Sequence, residues 1–145
     1  MTICKIVLRF HSKLIMENTK RNAVGWFEIP VKDMERAIKF YETVLNIELE
    51  RQQMGEVDMA WFPFSGDGPG ASGSLVHHEA HYTPSQDGVV IYFSSQTGDL
   101  ADELSRVAAA GGKVLQEKKL IAEGIGYMGL FLDTEGNRLA LHSRG

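Results

Sequence analysis

Three of the five histidines, His77, His78 and His81, fall close together and form the densest group of possible metal ligands or proton carriers in the chain. Their spacing argues against a shared ion. Consecutive residues of an extended strand point to opposite faces, so His77 and His78 cannot converge, and His78 and His81 read as solvated. Cys4 is the single cysteine and lies near the start of the chain, and no serine-nucleophile motif is present, so covalent catalysis has little support. Gly66-Asp67-Gly68-Pro69-Gly70 is rich in glycine, but no Lys-Ser/Thr pair follows it as a phosphate loop would require. What remains is acid–base and binding chemistry from carboxylates, histidines and tyrosines. Trp26, Met59, Trp61, Phe62 and Tyr127 could wall an apolar pocket for a small molecule, though residues of these types more often serve as core.

The bulk of the chain narrows the partners. A formal charge of −4 carries no basic field of the kind that holds nucleic acid. No apolar run approaches the roughly 18 residues of a membrane span. One cysteine forbids an intramolecular disulfide and points to a reducing, cytoplasmic setting. In residues 1–21, Lys5, Arg9 and Lys13 recur every four positions beside Ile3, Val7, Phe10 and Leu14. That segment reads as a basic N-terminal extension, helical by its spacing or strand-like by the alternation of Ile6, Leu8 and Phe10.

The elements that must position any site follow in order. Phe27, Ile29 and Val31 alternate with Trp26, Glu28 and Pro30, which predicts a strand over 22–31 ending at the proline. Asp33 is placed to cap a helix whose apolar stripe is Met34, Ala37, Ile38, Tyr41 and Leu45. Strands are expected over 47–54, 56–64 and 73–77. The second half repeats the order: a strand over 89–94, a helix opened by Asp99 and stopped at Gly111-Gly112, a strand over 113–116, a loop over 118–125, and strands over 126–132 and 138–143. The last two are joined by Asp133-Thr134-Glu135-Gly136-Asn137, with glycine where positive φ is needed. The grammar is βαβββ followed by βαβββ.

The run from Phe27 to Asp33 with Arg36-Ala37 and Phe40-Tyr41, then Gly111-Gly112-Lys113-Val114 and Phe131 through Arg138, resembles the vicinal oxygen chelate superfamily. That superfamily includes glyoxalase I, bleomycin resistance proteins, fosfomycin resistance enzymes and extradiol dioxygenases. The resemblance covers nearly all of 22–143. It implies an α+β fold in which two βαβββ modules form a U-shaped cleft with helices outside. The single domain is then 22–145, with modules over 22–78 and 88–143, a linker over 79–87, and a homodimer as the expected assembly.

In metal-bearing members, four cleft positions ring a divalent ion. Here they map to Trp26, Leu75, Val90 and Ala140, none of which can ligate zinc, iron or manganese, so no cofactor is expected. One pleat further along, the same strands offer Glu28, His77, Tyr92 and His142. Three readings stay open: a displaced metal site of Glu28, His77 and His142; acid–base chemistry or ligand hydrogen bonding; or a polar network that only ties the modules together. The implied function is binding of a small organic molecule. It is joined either to lyase or isomerase chemistry, with Glu28 as base and His142 and Tyr92 as polar partners, or to simple sequestration. Trp26, Phe62, His77, Val90, Tyr127 and Ala140 are the expected ligand contacts. Gly124 and Gly126 would permit the 118–125 loop to act as a flap.

Overall fold

The computed structural model describes residues 22–145; the basic extension over 1–21 lies outside them. Two four-stranded sheets follow one another along the chain. In the first module β1 (Phe27–Pro30) leads to α1 (Met34–Leu45), β2 (Glu50–Met54), β3 (Val57–Trp61) and β4 (Gly73–His77). In the second, β5 (Tyr92–Ser94) leads to α2 (Leu100–Val107), β6 (Lys113–Ala122), β7 (Gly126–Leu132) and β8 (Arg138–Ser143). The sheet orders are β1-β4-β3-β2 and β5-β8-β7-β6, and in each the first and last strands of the module pair in parallel. The expected α+β fold of two βαβββ modules is the one observed.

The cap and stop signals act as their chemistry requires. Asp33 is extended and its carboxylate accepts from the Arg36 amide at 3.0 Å; Asp99 does the same for Ala101. Asn46 ends α1 in the left-handed region at φ 53°, a conformation asparagine tolerates better than most residues. Gly112 admits no side chain, since a Cβ there would lie 2.6 Å from the Phe40 ring and 2.5 Å from the Leu132 carbonyl. The helix of module one therefore packs directly on the backbone of module two.

One core serves both modules. Ile29, Phe40, Tyr41 and Leu75 from the first join Leu100, Phe131, Leu139 and Leu141 from the second. Phe27 and Phe93 meet edge-on at 5.8 Å, and Phe62 packs on both rings and on Tyr41. The opposite faces of the two sheets are left to the cleft.

The 133–137 turn locks the halves together. Its Glu135 carboxylate accepts from the free Lys32 and Asp33 amides just before α1, at 2.9 and 2.8 Å, and from the Arg36 guanidinium at 2.8 and 3.0 Å. Asp133 accepts the Tyr41 hydroxyl at 2.6 Å, and Asn137 donates to the Pro30 carbonyl at 2.8 Å. Gly136, at φ +89°, supplies the left-handed residue that closes the turn.

The strands expected over 22–31 and 89–94 shorten to Phe27–Pro30 and Tyr92–Ser94, and the largest departure from expectation is in β6. The segment over 118–125 is not a loop: β6 runs to Ala122 and pairs with β7 through Lys119↔Met128 and Leu120↔Tyr127. Register irregularities between Val114 and Ala122 bend this ladder, and β6 is an edge strand, where lysines such as Lys118 and Lys119 oppose further pairing. The flap reading falls with the loop.

Burial acts to raise the pKa of Glu135, but Arg36, the Asp33 and Lys32 amides and the Thr134 hydroxyl outweigh it and hold the carboxyl at about 2, below its ordinary 4.5. A depressed folded-state pKa contributes stability that is fully present above the unfolded value and is lost as pH falls through the folded one. We expect about 3 kcal/mol from this group at neutral pH, lost between about 4.5 and about 2. Denaturant unfolding of wild type and Glu135→Gln across that range should show the two curves converging toward acid pH.

Candidate functional site

Strand register decides which residues share the cleft. Ile29 pairs with Leu75 and Phe93 with Leu141, and all four are on the core side. The neighbouring pairs Glu28↔Ser74 and Tyr92↔Ala140 therefore face the cleft, with Pro30↔Val76 and Ser94↔His142 beyond them. On the remaining strands Trp61 lies beside Ser74, Met59 beside Val76, Leu130 beside Ala140 and Met128 beside His142. Trp26, just before β1, sets its ring edge-on to Trp61 at 6.0 Å and stays 43% exposed. Tyr92, on the opposite sheet, is 52% exposed.

The expected site residues divide on this geometry. Trp26, Glu28, Tyr92, Ala140 and His142 occupy cleft-face positions, and Val90 precedes β5 in phase with Tyr92. Leu75 does not; it is a core residue, and Ser74 holds the cleft position one residue earlier. Phe62 is also core, packed among Phe27, Tyr41 and Phe93. Tyr127 pairs with Ser143, whose hydroxyl accepts the Leu100 amide at the start of α2. That places the Tyr127 ring on the helix side, under the Lys118 ammonium at 4.6 Å. His77 shares the Leu75 face, with Nδ1 2.9 Å from the Val31 carbonyl.

The four polar residues thus do not form one ring. His142 has Nε2 2.9 Å from the Ile125 carbonyl, at the tip of the β6–β7 hairpin. Glu28 accepts the Tyr82 hydroxyl at 2.5 Å, and that bond is the first cause holding the Tyr82 hydroxyl above its ordinary pKa. The displaced metal trio of Glu28, His77 and His142 is not assembled, and among the described residues no three His, Cys, Asp or Glu side chains come together as an ion site. His78 stacks on His81 at 4.7 Å and approaches Glu56 at 3.7 Å, away from both.

With the register corrected, the ring positions of metal-bearing members fall on Trp26, Ser74, Val90 and Ala140. An indole, a hydroxyl and two aliphatic side chains do not fit a divalent transition ion, which takes imidazole, thiolate or carboxylate donors. The Ser74 hydroxyl and Trp61 Nε1 are buried and have no hydrogen-bond partner among the described residues. Buried polar groups are rarely left so.

Tyr82 and Ser74 are the site residues that sequence patterning missed. Tyr82 lies in an aperiodic polar stretch. Ser74 lies in a strand that is almost fully buried on both faces, where no alternation marks the phase.

Comparison with known proteins agrees with this fold. The family model of the Glyoxalase/Bleomycin resistance protein/Dioxygenase superfamily matches residues 23–141. No curated protein matches the chain by sequence. Among solved structures, a glyoxalase I variant from Zea mays superposes with a TM-score of 0.65 at 21% identity, covering 83% of this chain and 46% of that one. The chain thus spans under half the length of the maize enzyme. A glyoxalase/bleomycin resistance protein from Albidiferax ferrireducens T118 gives 0.64 at 18% identity, covering 85% of this chain and 100% of that one. TnmS3, an antibiotic binding protein from Streptomyces sp. CB03234, gives 0.61 at 21%, covering 88% and 99%.

The Tyr82–Glu28 bond ties the segment between the modules to the cleft face of β1. In Tyr82→Phe we expect amide hydrogen exchange over 79–88 to rise several-fold while α1 and β8 keep wild-type protection, as a local opening requires. Unchanged exchange over 79–88 would show that the bond does not hold the segment.

Proposed function

Because the chain belongs to the glyoxalase/bleomycin resistance protein/dioxygenase superfamily, we propose that it binds a small, flat organic molecule in its cleft, without a metal ion in the ring of Trp26, Ser74, Val90 and Ala140. The observation that carries this reading is the half-exposed Trp26, edge-on to Trp61 above a buried hydroxyl that lacks a partner. Exposed aromatic faces over unsatisfied polar groups are the makings of a small-molecule site. Tyr92 supplies a third aromatic surface from the other sheet. The antibiotic binding protein from Streptomyces shares this fold, and sequestration of a flat ligand is the corresponding activity here.

The Tyr82–Glu28 bond favours a second reading, lyase or isomerase chemistry. Glu28 would take a proton from the bound molecule as general base. In an isomerase it would return the proton at a neighbouring atom; in a lyase the electron pair would expel a leaving group. Tyr82 would steady the carboxylate, with Tyr92 and His142 as polar partners on the other sheet.

We further propose a cytoplasmic homodimer. Leu120, Ile121 and Ile125, on the β6–β7 hairpin, are 51, 46 and 54% exposed in the single chain, apolar side chains suited to burial against a partner copy. Among the described residues no helix is long and apolar enough to cross a membrane.

A thermal-shift screen of planar aromatic compounds, followed through tryptophan fluorescence, tests the binding reading. Trp26→Ala should weaken the best ligand about tenfold or more, on the scale of a lost aromatic anchor. Retention of wild-type affinity would remove Trp26 from the site. Glu28→Gln separates the two readings: an enzyme loses turnover and keeps binding, whereas a sequestering protein keeps its whole function. Stoichiometric uptake of zinc, nickel or iron would overturn the metal-free ring. Sedimentation at micromolar protein decides the dimer.

A further inference from the structure

Five arginines lie within the described residues, and four are accounted for. Arg36 pairs with Glu135, Arg51 with Asp58 and Glu35, Arg106 donates twice to the Val44 carbonyl, and Arg144 is solvated. Arg138 differs. It is partly buried at the start of β8, and its Nε is fully buried without a hydrogen-bond partner among the described residues. It forms no ion pair there either. Arginine is cationic at any physiological pH and has only donors to offer. The fully buried Nε is out of a ligand's reach, but the terminal nitrogens also make no hydrogen bond among the described residues, and a guanidinium with all its donors idle is rare in a native chain.

Arg138 lines a groove of about 210 Å³ between the modules, where β1 approaches β8 and the segment before β5. Glu28, Pro30, Thr83, Ser85 and Val89 line it too. The Thr83 hydroxyl makes no hydrogen bond among the described residues. Ser85 Oγ accepts the Asp87 amide and keeps its own proton to donate. Three donor side chains therefore border a space walled by Glu28 and otherwise by apolar side chains, and Asn137 shapes it while its amide is spent on Pro30, Asp133 and Ser85.

We infer that this groove holds the carboxylate of a small organic acid, with Arg138 as its anchor. The inference deepens the cleft-binding reading and rests on it, since Glu28 belongs to both cleft and groove. A carboxylate matches the planar fork of the guanidinium with two oxygens. Thr83 and Ser85 can donate to the lone pairs left over. Val89 and Pro30 take the apolar body. Glu28 sets the charge limit: a single negative charge opposite it is repelled less than a phosphate dianion, and any hydroxyl or amine on the ligand finds an acceptor there.

Titration calorimetry of the full chain with benzoate, its neutral counterpart benzamide and inorganic phosphate tests this. Wild type should bind benzoate about tenfold or more tightly than benzamide, the scale of one charge-assisted hydrogen-bonded pair, and phosphate more weakly than benzoate. Arg138→Gln, folded by circular dichroism, should lose that preference and keep benzamide binding. Arg138→Lys, which keeps the charge without the fork, should fall between and serves where the glutamine variant does not fold. Equal affinity for the two probes, or a preference that survives in Arg138→Gln, overturns the anchor while leaving the cleft reading intact. A change from dimer to monomer in Arg138→Gln also overturns it, by assigning the arginine to a partner copy. Binding of neither probe overturns the anchor alone; the cleft reading stands or falls by the planar-compound screen and Trp26→Ala.

Discussion

The architecture depends on how α1 is finished at its two ends. A helix leaves amides free at its start and carbonyls free at its finish, and each needs a partner. Asp33 satisfies one amide locally. The other module acts at both ends: Glu135 fixes the approach to the helix by taking the Lys32 and Asp33 amides ahead of the first turn, and Arg106 holds the Val44 carbonyl near the last. Charge and position agree, since a carboxylate at the start and a guanidinium at the finish both oppose the helix dipole. With Tyr41 bonded to Asp133 and Phe40 seated on Gly112, the two modules share their interior instead of merely abutting. The faces that remain for the cleft are held rigid because the faces behind them are locked.

That rigidity bears on the site. Glu28 and Ser74 stand on strands whose reverse sides are packed, and Trp26 rests against Trp61 just ahead of β1, so their spacing is set by the fold and not by the ligand. The groove beside Arg138 lies where β8 meets β1, and Asn137, one residue away, is bonded to Pro30. The backbone of Arg138 is thus held by the same turn that fastens the modules, which sets the strand it shares with the cleft against the strand of Glu28. A preorganised pair of opposite charges too far apart to satisfy each other favours a ligand that presents complementary groups to both.

Much of this was legible in the residues alone, and the exceptions have physical causes. Alternation placed β1 and β8 in the correct phase because each buries one face against helices and leaves the other to the cleft. β4 carries no such contrast: Gly73, Ser74, Leu75 and Val76 are all buried, so its phase slipped by one residue and put Leu75 and His77 where Ser74 and Val76 belong. Phe62 and Tyr127 have the character of pocket residues, but an aromatic ring serves a core as readily, and only the cross-strand partners reveal its side. The lysines of β6 looked like a solvated loop because an exposed edge strand uses the same residue types. The Arg138 groove had no signature, since its lining comes from three stretches far apart in the chain, 28–30, 83–91 and 137–139.

The bonds from Glu135 to Arg36 span 99 residues of sequence. During synthesis the first helix therefore leaves the ribosome with its start unfinished and its Tyr41 hydroxyl without an acceptor, and both wait until most of the second repeat has been made. Contacts so distant in sequence close late and slow the approach to the native state. The chain looks like two copies of one unit, yet its first half is not a domain that could be cut out and kept. Splitting it between the repeats should yield fragments that fold only together.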